Sequence, residues 1–270
     1  MLEATAPAVR PRGTRPMVTP FARSLALLGA FTPQDRWLGN RDLAERTGVP
    51  ASTVSRIAQS LVLLGYLQYA PLDRKYRLAA PVLALGYGAL ANSALQRAAR
   101  THLQALADLQ SLHVNLSTRD RLELIVLESC TGRQALPSLR LDVGARVGIA
   151  SSPMGWALLA ALPELERYYL MGHVERRMPR EWPRLRRRLG EATAQVHEQG
   201  YCSSVSDWNR ELGVVAAPVV VEGHAPLVIA CMGAGAQFTR ARVQRELGPR
   251  LLGAAAAIQQ SVTEPGGPTP

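Results

Sequence analysis

Four polar side chains within one short stretch, Ser52, Thr53, Ser55 and Arg56, carry the chemistry that stands out in this chain of 270 residues. Hydroxyls and a guanidinium are the groups that hydrogen-bond phosphate oxygens and the edges of bases. Their apolar neighbours Val49, Val54 and Ile57 fall on the other side of a helix starting at about Ala51, so the polar four are expected to face outward. Further along, Arg74 and Lys75 lie between two short strand-like runs, Leu67–Tyr69 and Tyr76–Leu78. They suit phosphate or a minor-groove edge, and Arg41, at the head of the preceding helix, suits the backbone.

Such side chains need a particular scaffold. Ala44 is small where two helices would cross, and Gly48 stands where the chain must turn sharply. Helices are predicted over about Phe21–Phe31, with Leu25, Leu28 and Phe31 on one face, over Arg41–Arg46, and from Ala51 to Leu64, ended by Gly65. In the third, Val54, Ile57, Leu61 and Leu64 have helical spacing. A wing tip, Leu72-Asp73-Arg74-Lys75, joins the two strands. This order of parts is that of a winged helix-turn-helix, which presents one helix to the major groove and a hairpin to the flanking backbone.

Charge supports the same reading. Residues 1–100 hold 13 basic and 5 acidic side chains, whereas residues 101–270 hold 18 and 16. The positive excess therefore belongs to the half with the helix-turn-helix, as expected of a phosphate-neutralising domain joined to one with another task. Lys75 is the sole lysine, so a bias toward arginine runs through the whole chain, but such a bias does not create the asymmetry.

Residues 1–18, with three prolines and few large apolar groups, are expected to be a disordered arm. Arg10, Arg12 and Arg15 there have the type of a minor-groove arm, although a flexible leader is the favoured reading. Residues 19–80 are assigned to the winged domain and 81–97 to a linker helix, with Pro81 in its first turn. Leu83, Tyr87, Leu90 and Ala94 form its apolar stripe, suited to packing on a partner. Residues 98–262 form the second domain, and 263–270 a disordered tail. A helix over about Arg97–Leu112 is followed by strands at Val114–Thr118, Leu122–Glu128, Ser138–Leu141, Val214–Val221 and Leu227–Met232. Helices fall at Gly155–Ala161, Glu164–Met171 and Trp182–Gln199, the last with Trp182, Leu185, Leu189, Ala192 and Val196 inward. A closing helix runs from Thr239, a suitable N-cap, to Gln260. The implied fold class is α+β with an antiparallel sheet.

Several chemistries find no support. His102, His113, His173, His197 and His224 show no i, i+4 pairing for a metal. Ser151 and Ser152 precede a helix but sit in no nucleophile elbow. Gly233-Ala234-Gly235 is too short for a dinucleotide turn, so no cofactor is expected. Cys130, Cys202 and Cys231 are far apart, which fits a reducing cytoplasm. No apolar run has membrane-spanning length, and no membrane partner is expected. The arginines Arg184, Arg186, Arg187 and Arg188 read as the wet face of a helix, with a second DNA contact the less favoured alternative.

The runs SLALLGAF, LAERTGVPASTVSRIAQSLVLLGYL and RKYRL closely resemble the DNA-binding domain of IclR-family transcriptional regulators. The resemblance continues through VGARVGIASSPMGWALLAALP and GYCSSVSDWNRELGVVAAPV, and covers roughly residues 21–260. It implies a GAF-like effector-binding domain, operator DNA as a partner, and a homodimer or tetramer, since dimers of the family often pair into tetramers. By the same resemblance the ligand pocket falls on Leu141, Ser151, Ser152, Met154, Trp208, Asn209, Val214, Ala230 and Met232. Departures from the family pattern at Ala150–Met154, Val214, Ala230, Met232 and Ser204 make this pocket more apolar than one for a small keto acid. The expected ligand has an apolar or aromatic body and a carboxylate, with backbone amides near the helix start after Ser152 as its receiver. Trp208 fits a stacking wall and ordinary core packing equally well. The expected function is a ligand-responsive DNA-binding regulator of catabolic genes and not an enzyme. The rival is a GAF-like enzyme with the winged domain as a protein-interaction module, and it lacks a nucleophile–base pair.

Overall fold

The computed structural model describes residues 19–32, 35–91, 94–135, 141–205, 211–221 and 224–263. Contacts within the chain divide it into two units, residues 1–85 and 86–270.

The first unit contains α1 (Thr19–Leu28), β1 (Leu38–Gly39), α2 (Asn40–Thr47), α3 (Ala51–Leu63), β2 (Leu67–Ala70) and β3 (Lys75–Leu78). The strands form an antiparallel sheet in the order β1-β3-β2. Leu27, Leu43, Val54 and Ala58 are fully buried, and Leu38, Val49, Leu61, Leu67 and Tyr76 close the core around them. Burial of such side chains contributes roughly 1.5–3 kcal/mol each, which is what seats α3 against its neighbours. Between α2 and α3, Gly48 takes φ +68°, and its N–H donates to the Ala44 carbonyl at 2.9 Å. A left-handed glycine ends the helix without the penalty a Cβ would bring.

Two apolar faces differ from the sequence expectation. α1 starts at Thr19 and stops at Leu28, so Phe31 lies beyond it, and the fully buried side chain is Leu27 while Leu25 is exposed. In α3 the packed stripe is Val54, Ala58 and Leu61, with Ile57 partly buried against the same core. Leu64 lies past the helix end, 68% exposed, where Gly65 at φ +77° turns the chain away. β1 was not expected, because two residues carry no periodicity.

α4 (Ala80–Ala91) exposes Leu83, Leu85 and Tyr87. Ala94, expected on its stripe, is instead the first residue of α5 (Ala94–Gln110). There follow β4 (His113–Asp120), β5 (Glu123–Thr131), β6 (Arg146–Gly148), α6 (Pro153–Ala161), α7 (Glu164–Arg177), α8 (Trp182–Gln199), β7 (Cys202–Val205), β8 (Leu212–Val219) and β9 (Leu227–Ala234). The strands make one antiparallel sheet in the order β6-β5-β4-β9-β8-β7. Of the expected strand Ser138–Leu141, residues 138–140 lie outside the described residues, and Leu141 belongs to no strand. The chain ends in α9 (Arg240–Arg242), a π-helical turn (Val243–Leu247) and α10 (Gly248–Thr263). Thr239 caps α9, its hydroxyl accepting from Arg242 N–H at 3.3 Å.

The sheet separates two cores. On one face Val114, Leu116, Val215 and Ile229 meet Leu103 of α5 and Leu251 and Ile258 of α10. On the other, Leu124, Val214, Val228, Ala230 and Met232 meet Met154 and Leu158 of α6 and Leu185, Leu189 and Ala192 of α8. Burial on both faces explains the near-continuous apolar run of β8 and β9. Among the described residues, no helix is long and apolar enough to cross a membrane.

Candidate nucleic-acid interface and ligand-facing sheet

The α3 helix turns its apolar stripe inward, which leaves Ser52 and Arg56 exposed and Thr53 and Ser55 half-exposed. Among the described residues, the side chains of these four make no hydrogen bond. The helix start carries no side-chain cap either, because Pro50 occupies the capping position. The Pro50 carbonyl accepts from Thr53 N–H (2.9 Å) and Val54 N–H (3.0 Å), so the Ala51 and Ser52 amides remain for an external acceptor. Uncommitted amides, the positive end of the helix dipole and adjacent hydroxyls make a ready phosphate seat.

The support behind α3 is polar as well as apolar. Arg46 near the end of α2 donates to both carboxylate oxygens of Asp35, at 2.5 and 2.8 Å, and to the Ala30 carbonyl at 3.0 Å. Thr32 also donates to Asp35, from N–H at 2.9 Å and from its hydroxyl at 2.6 Å. The Arg46 guanidinium, followed by Thr32, holds the Asp35 carboxyl well below the usual carboxylate range. Asp42 in the first turn of α2 accepts from Gly39 N–H at 2.8 Å. These bonds tie the loop after α1 and strand β1 to α2, which α3 packs against.

In the wing, Arg74 takes φ +51° at the turn, and both Arg74 and Lys75 are exposed. Lys75 is the first residue of β3, paired with Gly39 and Ala70, so the turn itself is shorter than expected. Arg77 donates to Gln68 at 2.7 Å and lies over the Trp37 ring at 4.9 Å, which stiffens the hairpin. Arg41, 92% exposed, pairs with Glu45 at 3.1 Å. An exposed pair of this kind is worth at most about 1 kcal/mol, so it does not bar exchange for a phosphate.

In the second unit the structure gathers Met154, Val214, Ala230 and Met232 into the core under α6 and α8, with Leu141 half-buried at its edge. Ser151 is half-buried beside them. Ser152 differs from its expected role. Its hydroxyl donates to the Gly148 carbonyl at 2.8 Å and accepts from Gly155 N–H at 3.1 Å, so it caps α6. The Ser152 carbonyl takes Trp156 N–H at 3.0 Å, and Pro153 has no N–H. Of the amides expected to receive a carboxylate, that leaves Met154. Gly155 is needed by packing, because a Cβ there would stand 1.9 Å from the Ile149 carbonyl oxygen. Trp208 and Asn209 lie outside the described residues.

The same sheet face holds polar residues that sequence reasoning missed. Asn115 and Ser117 of β4 are fully buried, and Ser129 of β5 stands opposite Asn115. Asn115 Oδ1, Ser117 Oγ and Ser129 Oγ are buried without a hydrogen-bond partner, while Asn115 Nδ2 donates to Met232 Sδ at 2.9 Å. The available signal was the alternation His113-Val114-Asn115-Leu116-Ser117, polar at every second position.

Burial pushes the Cys130 thiol up to about 11, and those of Cys202 and Cys231 up to about 12, which suits packing and not nucleophilic chemistry. No cluster of three or more histidine, cysteine or acidic side chains able to hold a metal occurs among the described residues.

Comparison with known proteins agrees with this geometry. The model of the IclR helix-turn-helix domain matches residues 21–71. That of the bacterial transcriptional regulator IclR C-terminal domain matches residues 87–260. The HTH-type transcriptional regulator TsaQ1/TsaQ2 of Comamonas testosteroni is 33% identical over 241 residues, covering 87% of this chain and 85% of its own. The crystal structure of an IclR family transcriptional regulator from Brucella abortus superposes with a TM-score of 0.83 at 36% identity, over 92% of this chain and 94% of that one. A crystal structure of an IclR homologue from Microbacterium hydrocarbonoxydans, complexed with 4-hydroxybenzoate, shares the fold at 23% identity and a TM-score of 0.66, over 90% of this chain and 98% of that one.

Proposed function

The chain belongs to the IclR family of bacterial transcriptional regulators, and from that premise we propose that it controls catabolic genes by reading an operator with α3 and sensing a small aromatic or otherwise apolar organic acid. The family is one of transcriptional regulators, which leaves the enzyme reading without support. The observation that carries the proposal is the outward, hydrogen-bond-free edge of α3, Ser52, Thr53, Ser55 and Arg56, above a fully buried Val54 and Ala58. These four reach base edges and phosphates in the major groove, Arg74 and Lys75 hold the flanking backbone, and Arg41 anchors α2.

The acid is received under α6 and α8, among Leu141, Ser151, Met154, Val214, Ala230 and Met232. The apolar composition of that sheet face supports an apolar body, as does the 4-hydroxybenzoate bound by the Microbacterium homologue. A regulator that senses an acid serves the enzymes that consume it, hence the assignment to catabolic genes. The chain works as a dimer or tetramer on a palindromic operator, a reading that the exposed Leu83, Leu85 and Tyr87 of α4 favour. The acid acts by shifting the balance between two arrangements of the subunits. Selection of binding sites from random duplexes by the purified chain should return a palindrome, and aromatic acids should raise its melting temperature by mass action. Recovery of no common sequence refutes the first half. Stabilisation by pyruvate-sized acids alone refutes the second.

A further inference from the structure

A row of unmet hydrogen-bonding groups crosses the ligand-facing side of the large sheet. Along β4, His113, Asn115 and Ser117 point to the same face as Val228, Ala230 and Met232, because Asn115 pairs with Ala230 and Ser117 with Val228 in β9. Ser129 extends the row onto β5. The intervening Val114 and Leu116 serve the opposite core. Of the polar atoms in this row, Asn115 Oδ1, Ser117 Oγ and Ser129 Oγ are sealed from solvent and partnerless. Buried polar groups are almost always hydrogen-bonded, and each one left unsatisfied is costly. Three at neighbouring register positions indicate an occupant that supplies the missing partners.

The chemistry of that occupant follows from what the wall lacks. The next side chain on this face of β4 is Arg119, and its guanidinium is held by Glu166 of α7 at 2.6 Å. His113 is engaged through Nδ1 with Thr131 Oγ1 at 3.2 Å. The two basic side chains that β4 places on this face are therefore both committed elsewhere. A carboxylate buried there without a counter-charge would be strongly disfavoured. A hydroxyl, in contrast, both donates to Asn115 Oδ1 and accepts from Ser117 or Ser129.

We infer that Asn115, Ser117 and Ser129 are specificity-determining residues that receive an uncharged hydroxyl on the ligand, at the opposite end from its carboxylate. This rests on the reading of the second unit as a sensor of aromatic acids. The ligand would enter with its hydroxyl against β4 and β5, and its carboxylate toward the start of α6, where the Met154 amide remains. A ring bearing only apolar substituents would leave all three polar atoms unmet.

The test is calorimetric titration of the full chain with 4-hydroxybenzoate and with 4-methylbenzoate, a probe of the same shape whose methyl cannot hydrogen-bond. The hydroxy acid should bind at least about tenfold more tightly. In the double variant Ser117→Ala/Ser129→Ala the preference should narrow to about threefold, since the bond to Asn115 Oδ1 remains. The variant should melt no lower than the wild type, since it removes buried unpaired hydroxyls. Asn115→Leu should narrow the same preference, and the serine variant keeps the test valid if Asn115→Leu does not fold. Equal binding of the two acids by the wild type, as when an ordered water satisfies the row, overturns the inference and leaves aromatic-acid sensing standing. A tenfold preference that survives in the double variant also overturns it. If neither acid binds at millimolar concentration, the aromatic-acid reading fails, and this inference with it.

Discussion

Replacing Gly155 by alanine should unseat the start of α6. An added Cβ would stand 1.9 Å from the Ile149 carbonyl oxygen, 2.5 Å from its carbon and 2.6 Å from Ile149 Cα. All three are backbone atoms, so no side-chain rotation relieves the overlap, and the helix start must retreat by about 1 Å from a fully packed position. Overpacking of this kind costs roughly 1–3 kcal/mol, and a clash with backbone belongs at the upper end. Alanine returns at most about 1 kcal/mol of helix propensity, so the net loss is about 2 kcal/mol. For a unit the size of residues 86–270, this lowers the melting temperature by roughly 4–8 °C. Gly172 in α7 and Gly190 in α8 provide the control, because a Cβ at either meets nothing within 4 Å. Alanine at each should stabilise by about 0.5–1 kcal/mol. Thermal unfolding of the full chain followed by calorimetry compares the three variants. A Gly155→Ala protein that melts with or above the wild type would refute the packing assigned to α6, and with it the geometry of the core beneath it.

Three other outcomes follow from the structure. Asp35 has a carboxyl held below its ordinary value of 3.8 by Arg46 and Thr32. Its contribution is therefore complete above that value and is lost as pH falls through the depressed folded one. Amides of α2 should lose hydrogen-exchange protection only below about pH 4, and Asp35→Asn should abolish that step. The thiols of Cys130, Cys202 and Cys231 are buried, with pKa values pushed up to about 11, 12 and 12, so an aromatic disulfide reagent at neutral pH should react only after unfolding. Rapid labelling of the native protein would contradict this. Leu27→Ala, at a fully buried site, should cost about 2–5 kcal/mol and unfold the first unit. Leu25→Ala, at an exposed one, should change its stability by less than about 1 kcal/mol.

The sequence was most legible where apolar spacing and glycine punctuation agree. Ala44, Gly48 and Gly65 bracket α2 and α3, and Trp182, Leu185, Leu189, Ala192 and Val196 do form the inner side of α8. Legibility failed for elements too short to show a period, namely β1, β6 and β7. It also failed at α1, where Leu27 and not Leu25 is the core residue, and at the π-helical turn inside the closing helix. In the second unit the buried placing of Val214, Ala230 and Met232 was readable because they lie in continuous hydrophobic strands. Ser152 misled, because a serine before a helix serves as a cap as readily as it meets a ligand. Asn115, Ser117 and Ser129 escaped notice because polar residues at every second position of a strand ordinarily face water. Only the sheet order, with α6 and α8 over that face, shows them to be enclosed.

Footprinting of Arg56→Ala on the selected operator bears most directly on the claim that α3 reads DNA. Loss of a guanidinium contact to base edges should weaken specific binding by about 1–3 kcal/mol, roughly 5- to 150-fold, while circular dichroism and the oligomeric state remain those of the wild type. A protected operator indistinguishable from the wild type's, at the same protein concentration and salt, would contradict it.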